Sequence, residues 1–401
     1  MLRDSPDFAT LPTPAFVYDE AAIRRKLDLL AGVRELSGAR ILYSIKALPF
    51  AGVLELARPW VDGFSASSLF EARLAREVMD CGVNPAASLH ITTPGLRAEE
   101  MAELAGLCSH ISYNSLEQFR RLQPMVEGQV SAGIRVNPGL SFVDDRRYDP
   151  CRPHSKLGVP VESLAEALTK EPGLARRIEG LHFHSLFEAQ GAGPLRATLE
   201  RIEAVLDPWL GKMRWLNLGG GHGADSAGEA QELAAAIGKV KSRHGVDICI
   251  EPGNGIVGRA GYLVASVIDR FERDGRAIAV LDTGVQHLPE VFEYQKPPLL
   301  AEHRPDGAHE VLLAGCTCLA GDLFGEYRVE APLELGDKLV FRHVGAYSVI
   351  KASRFNGYDL PAIHALGADG RIRLRKSYGY EDYRRQWTAD APSLAGDGGQ
   401  F

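Results

Sequence analysis

The 401-residue chain carries a formal net charge of -7, which offers no long-range attraction to nucleic acid or an anionic membrane. No apolar run approaches the roughly 18 residues of a spanning helix, and the start Met1-Leu2-Arg3-Asp4-Ser5-Pro6 lacks the basic-then-apolar pattern of a secretion signal. Cysteines at 81, 108, 151, 249, 316 and 318 form no CxxC pair, so reduced thiols in the cytoplasm are expected, without a zinc site.

Residues 8–18 hold two closely spaced prolines and read as an extended segment. A helix is expected after Asp19, which can cap it, with Ile23, Leu27 and Leu30 on one face. From Arg40 a pattern recurs, a β-like run followed by a helical stretch. The runs are 40–47, Val61–Ser67, Ser88–Thr93, His110–Asn114, Ala132–Asn137, Ile178–His184, Trp215–Gly221 and Asp247–Glu251. Helical patterns such as Ser68–Met79 and Leu96–Leu107 separate most of them. Eight such units predict an α/β fold, a (β/α)8 TIM-like barrel, whose usual length is about 250 residues.

After residue 262 the helical period fades. Tyr262–Phe271, Ala277–Leu281, Val311–Ala314, Lys338–His343 and Ala346–Lys351 read as β-like, with turn signals at Leu335-Gly336-Asp337 and Arg354–Gly357. Three regions are therefore expected. Residues 1–35 form an N-terminal extended segment and helix, part of it joining the later sheet; 36–261 form the barrel; 262–401 form a C-terminal β-domain with a loose tail from Gly367.

A barrel builds its active site at the carboxyl ends of its strands. Those ends carry Lys46, Ser65 and Ser67, Thr92-Thr93, Asn114, Arg135 and Asn137, His184, Gly219-Gly220-Gly221 and Glu251. Turn chemistry explains Asn114 and some glycines, but not a Lys, an Arg, a His and a Glu arriving together. Lys46 follows the apolar run of Ile41, Leu42, Tyr43 and Ile45, and burial lowers an amine pKa toward what an imine-forming nucleophile needs. The Gly219–Gly221 loop and Glu251-Pro252-Gly253-Asn254-Gly255 offer backbone N–H groups to an anion. His184 can lie flat on a planar ring, and Glu251 calls for a cationic partner. An aldehyde for Lys46, a phosphate for the glycine loops and a ring nitrogen for Glu251 describe pyridoxal phosphate (PLP) held as a Lys Schiff base.

These motifs resemble the fold-type III PLP-dependent decarboxylases, whose barrel is of the alanine racemase and ornithine decarboxylase type. Tyr43-Ser44-Ile45-Lys46-Ala47, Phe183-His184-Ser185, the Gly219–Gly221 loop, Glu251-Pro252-Gly253, Cys318 and Gly345-Ala346-Tyr347 carry the resemblance, from about Pro14 to Ile363. Within that family the chain is most similar to the carboxynorspermidine decarboxylases, on Ala66–Leu69, Glu71–Leu74, Asn114–Leu116, Tyr148–Cys151, His184–Glu188, Leu218–His222 and Cys318–Asp322. It departs from them at Asn254-Gly255, at Phe187 and over Val291–Pro297.

The resemblance implies roles at the matching positions. Lys46 would hold PLP, His184 would stack on its ring, and Glu251 would pair with the pyridine nitrogen. The Gly220, Gly221, Asn254 and Gly255 backbones, with Tyr347, would hold the phosphate. Cys318 would return a proton to the substrate carbon, and Asp322 would contact a distal amine. An obligate homodimer with shared active sites is also implied. Glu188, Asp282, Glu290 and Glu293, with Asp322, supply carboxylates suited to a cationic tail.

The expected activity is decarboxylation of a carboxylated polyamine, carboxynorspermidine or carboxyspermidine foremost, in polyamine biosynthesis. Another diamino acid decarboxylase, of the diaminopimelate, ornithine or lysine type, is the alternative. A racemase would need a second base and a weaker electron sink than Glu251 provides. A single-domain PLP carrier would not need the β-domain.

Overall fold

The computed structural model describes residues 8–82, 87–143, 145–186 and 191–389. The chain divides into two compact units. Asp19–Gly261 with His343–Ile350 forms one; Tyr262–Arg342, the segment ending at Tyr18 and the chain from Lys351 form the other. The helix at residues 20–37 thus falls with the barrel. So does 343–350, although it lies within the region expected to be all β-domain.

Eight parallel strands close the first unit into a barrel: Arg40–Ser44, Gly63–Ala66, Ser88–Thr93, His110–Tyr113, Ser131–Asn137, Gly180–Phe183, Trp215–Asn217 and Asp247–Ile250. The ladder runs in chain order, and Cys249 opposite Arg40 closes the ring. Each expected run corresponds to one strand, the fifth beginning one residue earlier, at Ser131. The first is shorter than expected: it ends at Ser44, and Ile45–Ala47 forms a 3-10 turn, so Lys46 sits just beyond the strand. A short strand at Val159–Pro160 pairs with Ser131–Asn137 and had no sequence signal.

The helices follow their caps. Asp19 accepts from the Ala22 N–H at 2.9 Å and starts Glu20–Ser37, which buries Ile23, Leu27, Leu30 and Val33 before Gly38 ends it with φ 66°. Ser68 caps Leu69–Asp80 in the same way. The stretch 96–107 is mostly helical, as a 3-10 turn at Ala98–Glu100 leading into Met101–Leu107.

The barrel interior is more polar than the branched aliphatic filling usual for this fold. Residues paired across neighbouring strands share a face, which aligns Ser65, His90, His110 and Ser131. Trp215 supplies the bulk. Its ring occupies space left by Gly133 and Gly180, where a Cβ would come within 2.3 and 2.1 Å of it.

In the second unit the sheet order is Leu323–Val329, His309–Ala314, Arg276–Leu281, Gly261–Arg273, Ala15–Asp19, Ala362–Leu366 and Ile372–Lys376. Lys338–Arg342 and Leu299–Leu300 extend it from Gly261–Arg273. Phe8, Leu11, Ala15 and Val17 pack with Val264, Val340 and Leu366. Two expectations fail here. Ala346–Lys351 forms turns, because His343 and Tyr347 take positive φ (62° and 63°), which a strand cannot hold. The supposed loose tail contains the strand Ile372–Lys376 and the helix Tyr380–Trp387. Among the described residues no helix is long and apolar enough to cross a membrane.

Candidate active site

Lys46 occupies the turn after the first barrel strand, between the buried Ile45 and Ala47. Burial lowers its amine pKa; the Glu251 carboxylate acts in the opposite sense, and Arg135 adds to the lowering. The turn is anchored by Tyr347, whose N–H donates to the Ala47 carbonyl at 2.9 Å. Glu71 accepts from the Ser67 N–H at 2.7 Å; burial raises its carboxyl, against the pull of that N–H and of Lys46.

Glu251 directly follows the eighth strand and is 6% exposed. Burial alone would raise its pKa, yet the net direction is down, through His182, the Asn217 hydrogen bond and the Lys46 charge. Asn217 Nδ2 donates to its Oε1 at 2.7 Å, and His182 Nε2 lies 3.6 Å from Oε2, beyond hydrogen-bond range. The carboxylate is therefore held ionised inside the barrel. His184 is neutral: burial first, then the Lys46 and Arg135 charges, push its pKa well below the ordinary value. Its Nδ1 is held against the Gly220 backbone, 3.0 Å from the N–H and 3.1 Å from the carbonyl. Arg135 is buried as well, its pKa pushed down to about 10 by desolvation against the opposing pull of Glu251.

Three strand-end loops converge where only small residues fit. A Cβ on Gly220 would stand 2.6 Å from the Glu251 carbonyl, and one on Gly255 would stand 2.8 Å from that of His222. One on Gly253 would meet the Ala47 and Ser44 side chains at 2.9 and 3.0 Å. Gly219 and Gly221 turn with φ 67° and 85°, conformations that favour glycine. A nucleophilic amine, a neutral imidazole, an ionised carboxylate and a glycine cradle in one barrel mouth fit the expected PLP.

Lys46, His184, Gly220, Gly221, Glu251, Asn254, Gly255 and Tyr347 all belong to the barrel unit. Cys318, Asp322, Asp282 and Glu290 belong to the other, and Glu188 lies outside the described residues. Cys318 is exposed, its N–H donating to Asn356 Oδ1 at 3.0 Å. Asp322 is 3% exposed and accepts from the Val285 N–H at 2.8 Å, the Thr317 N–H at 2.9 Å and the Thr317 hydroxyl at 2.5 Å. It tethers the Cys318 loop. Asp282 accepts from the Ser266 N–H at 2.8 Å and the Thr13 hydroxyl at 2.5 Å. Glu290 opens the helix Glu290–Tyr294, and Glu293 pairs with Lys351 at 2.5 Å.

Sequence reasoning gave Glu71, His182, Asn217 and Arg135 no role. The signal for His182 and Asn217 was their spacing two residues before His184 and Gly219, which places them on the inward face.

His90, His110, His182, His184, His222 and His287 are all held below their ordinary pKa, in each case chiefly by burial. The unfolded chain then binds more protons than the native one below about pH 6.5. Stability present at neutral pH is lost as pH falls from there toward 4, the region to which His110, His222 and His287 are pushed. Urea unfolding should show a clearly lower midpoint at about pH 5 than at about pH 7.5; equal midpoints would contradict this.

Comparison with known proteins gives the family. The family model "Pyridoxal-dependent decarboxylase, C-terminal sheet domain" matches residues 15–345. A carboxynorspermidine/carboxyspermidine decarboxylase of Campylobacter jejuni is 33% identical, covering 94% of this chain and 98% of that protein. A carboxyaminopropylagmatine decarboxylase of Synechocystis is also 33% identical, covering 96% and 98%. The crystal structure of a Campylobacter jejuni carboxynorspermidine decarboxylase complexed with norspermidine superposes with a TM-score of 0.83 at 32% identity, covering 94% of this chain and 100% of that one. Pyridoxal phosphate is the cofactor that the cradle and these relatives share, and the chain belongs to the pyridoxal-dependent decarboxylases.

Proposed function

We propose that the enzyme removes the α-carboxylate of a carboxylated polyamine, carboxynorspermidine or carboxyspermidine, in polyamine biosynthesis. The observation that carries the reaction type is the ionised, buried Glu251 held by Asn217 beside Lys46 and His184. PLP, when bound, supplies an electron sink for the substrate's Cα. Lys46 holds it covalently, and Glu251 keeps the proton on its ring nitrogen. His184, fixed by Gly220, covers one ring face. The Gly220, Gly221, Asn254 and Gly255 backbones, with Tyr347, would hold the phosphate. Cys318 returns the proton after CO2 departs, on a loop that Asp322 keeps in shape. Glu290 and Glu188 receive the cationic tail, while Asp282 braces the sheet.

The substrate reading rests on relatives of equal identity that differ at the tail, and the equally similar Synechocystis protein supports a guanidino-ended variant as the second reading. Release of CO2 across carboxynorspermidine, carboxyspermidine, carboxyaminopropylagmatine, diaminopimelate, ornithine and lysine decides. A carboxylated polyamine should lead in kcat/KM by about tenfold or more, the scale of one charge-assisted hydrogen bond to its tail. Diaminopimelate or ornithine in front would overturn the reading.

The enzyme acts in the cytoplasm as a homodimer in which Cys318 serves the partner's Lys46. The six free thiols support the first of these readings, and a mixing test addresses the second. Lys46→Ala and Cys318→Ala proteins should each be nearly inactive alone. Under sharing, half of randomly exchanged dimers carry one intact site, so about a quarter of wild-type activity returns. If exchange is confirmed and nothing returns, each site lies within one chain.

A further inference from the structure

On the reading of Glu251 as partner to the cofactor's ring nitrogen, we propose that His182 is a positioning residue. Its ring is the second donor to the Glu251 carboxylate. With Asn217 it makes that carboxylate so weak a base that the proton shared with the ring nitrogen stays on the nitrogen.

The barrel ladder places His182. It stands opposite Arg135 on one neighbouring strand and Asn217 on the other, so the three side chains share the inward face. All three are buried. Asn217 Nδ2 donates to Glu251 Oε1 at 2.7 Å, and the other oxygen, Oε2, has His182 Nε2 beside it at 3.6 Å. Neither ring nitrogen of His182 has a hydrogen-bond partner among the described residues. Burial, with the Arg135 and Lys46 charges, outweighs the pull of Glu251 and keeps the ring neutral. A neutral imidazole carries one N–H. A lone pair aimed at a carboxylate would be repelled by it, so that N–H belongs on Nε2. A shift of about half an ångström brings it to bonding distance, and bonds of this kind in an active site often tighten only when the ligand is bound.

A proton between a carboxylate and a pyridine nitrogen stays with the stronger base. Burial by itself favours the uncharged arrangement, with the proton on the carboxylate. Each N–H given to the carboxylate stabilises its charge and tips the proton back to the nitrogen. The two carboxylate oxygens have about four acceptor sites, so Asn217 and His182 leave room for the ring nitrogen's own N–H. Packing does not account for the imidazole. An apolar side chain of similar size would fill the layer without burying a donor at 2% exposure, which is costly when the donor has no acceptor.

Nitrogen NMR of the holoenzyme, carrying PLP isotopically labelled at its ring nitrogen, reads the position of the proton. Wild-type protein should show a protonated ring nitrogen. His182→Met, which keeps the length of the side chain and loses the donor, should move the resonance toward the unprotonated position. His182→Gln, whose amide can put an N–H where Nε2 stood, should hold it in place. In the same proteins kcat for CO2 release should fall about tenfold or more in His182→Met, with KM little changed, and recover in His182→Gln. Should thermal unfolding show that the Met variant has lost its fold, His182→Asn takes its place, because its shorter amide cannot reach Oε2. Glu251→Gln separates the two claims. If it leaves the resonance where it was, Glu251 is not the partner of the nitrogen and the proposal falls with that reading. If it moves the resonance and the donor-free His182 variant does not, Glu251 keeps its role and that of His182 is overturned. Equal shifts in His182→Gln and the donor-free variant overturn it as well.

Discussion

Lys46→Ala should lose CO2 release by about a thousandfold or more, the scale at which removal of a covalent catalyst cripples an enzyme. The fold should survive it. The Lys46 amine is destabilised as a charge by its burial, so removing it relieves a desolvation cost instead of breaking a support. The turn keeps its other ties, the buried Ile45 and Ala47 and the Tyr347 N–H on the Ala47 carbonyl. Thermal unfolding of the cofactor-free variant should match or exceed that of the cofactor-free wild type, while visible absorbance from bound PLP disappears. A variant that keeps more than about a tenth of the activity would remove Lys46 from the chemistry.

Glu251→Gln is the second large effect. The amide oxygen can still accept from Asn217 Nδ2, so the local geometry persists. The negative charge is lost, and with it the hold on a ring-nitrogen proton. Preorganised charge of this kind is worth about 10²- to 10³-fold in kcat, with little change in PLP content, because Lys46 and the glycine loops remain. Near-normal turnover would show that the carboxylate has no part in the electron sink.

The barrel was legible because strand and helix periods alternate, and because polar residues at strand ends have no packing reason to cluster. What escaped was any residue whose meaning depends on a distant partner. Asn217 reads as an ordinary turn-prone residue until Glu251, 34 positions later, is seen to accept from it. Asp322 showed its charge in the sequence, but not that the distant Val285 amide and Thr317 would occupy that charge. In 346–351, apolar spacing imitated a strand, while the positive φ of Tyr347 carries no period that could reveal it. Leu323–Val329 was missed because Gly325 and two charged residues interrupt it; the buried Phe324, Tyr327 and Val329 pack it into the sheet. Stacking of His90 on His110 depends on register between two strands, which only the closed ladder defines.

Borohydride reduction of the purified protein, followed by peptide mapping, addresses the central claim most directly. A pyridoxyl group is expected on the peptide containing Lys46 and on no other lysine. Label on a different lysine, or none in protein that has been supplied with PLP, would contradict the assignment of this barrel mouth as the active site.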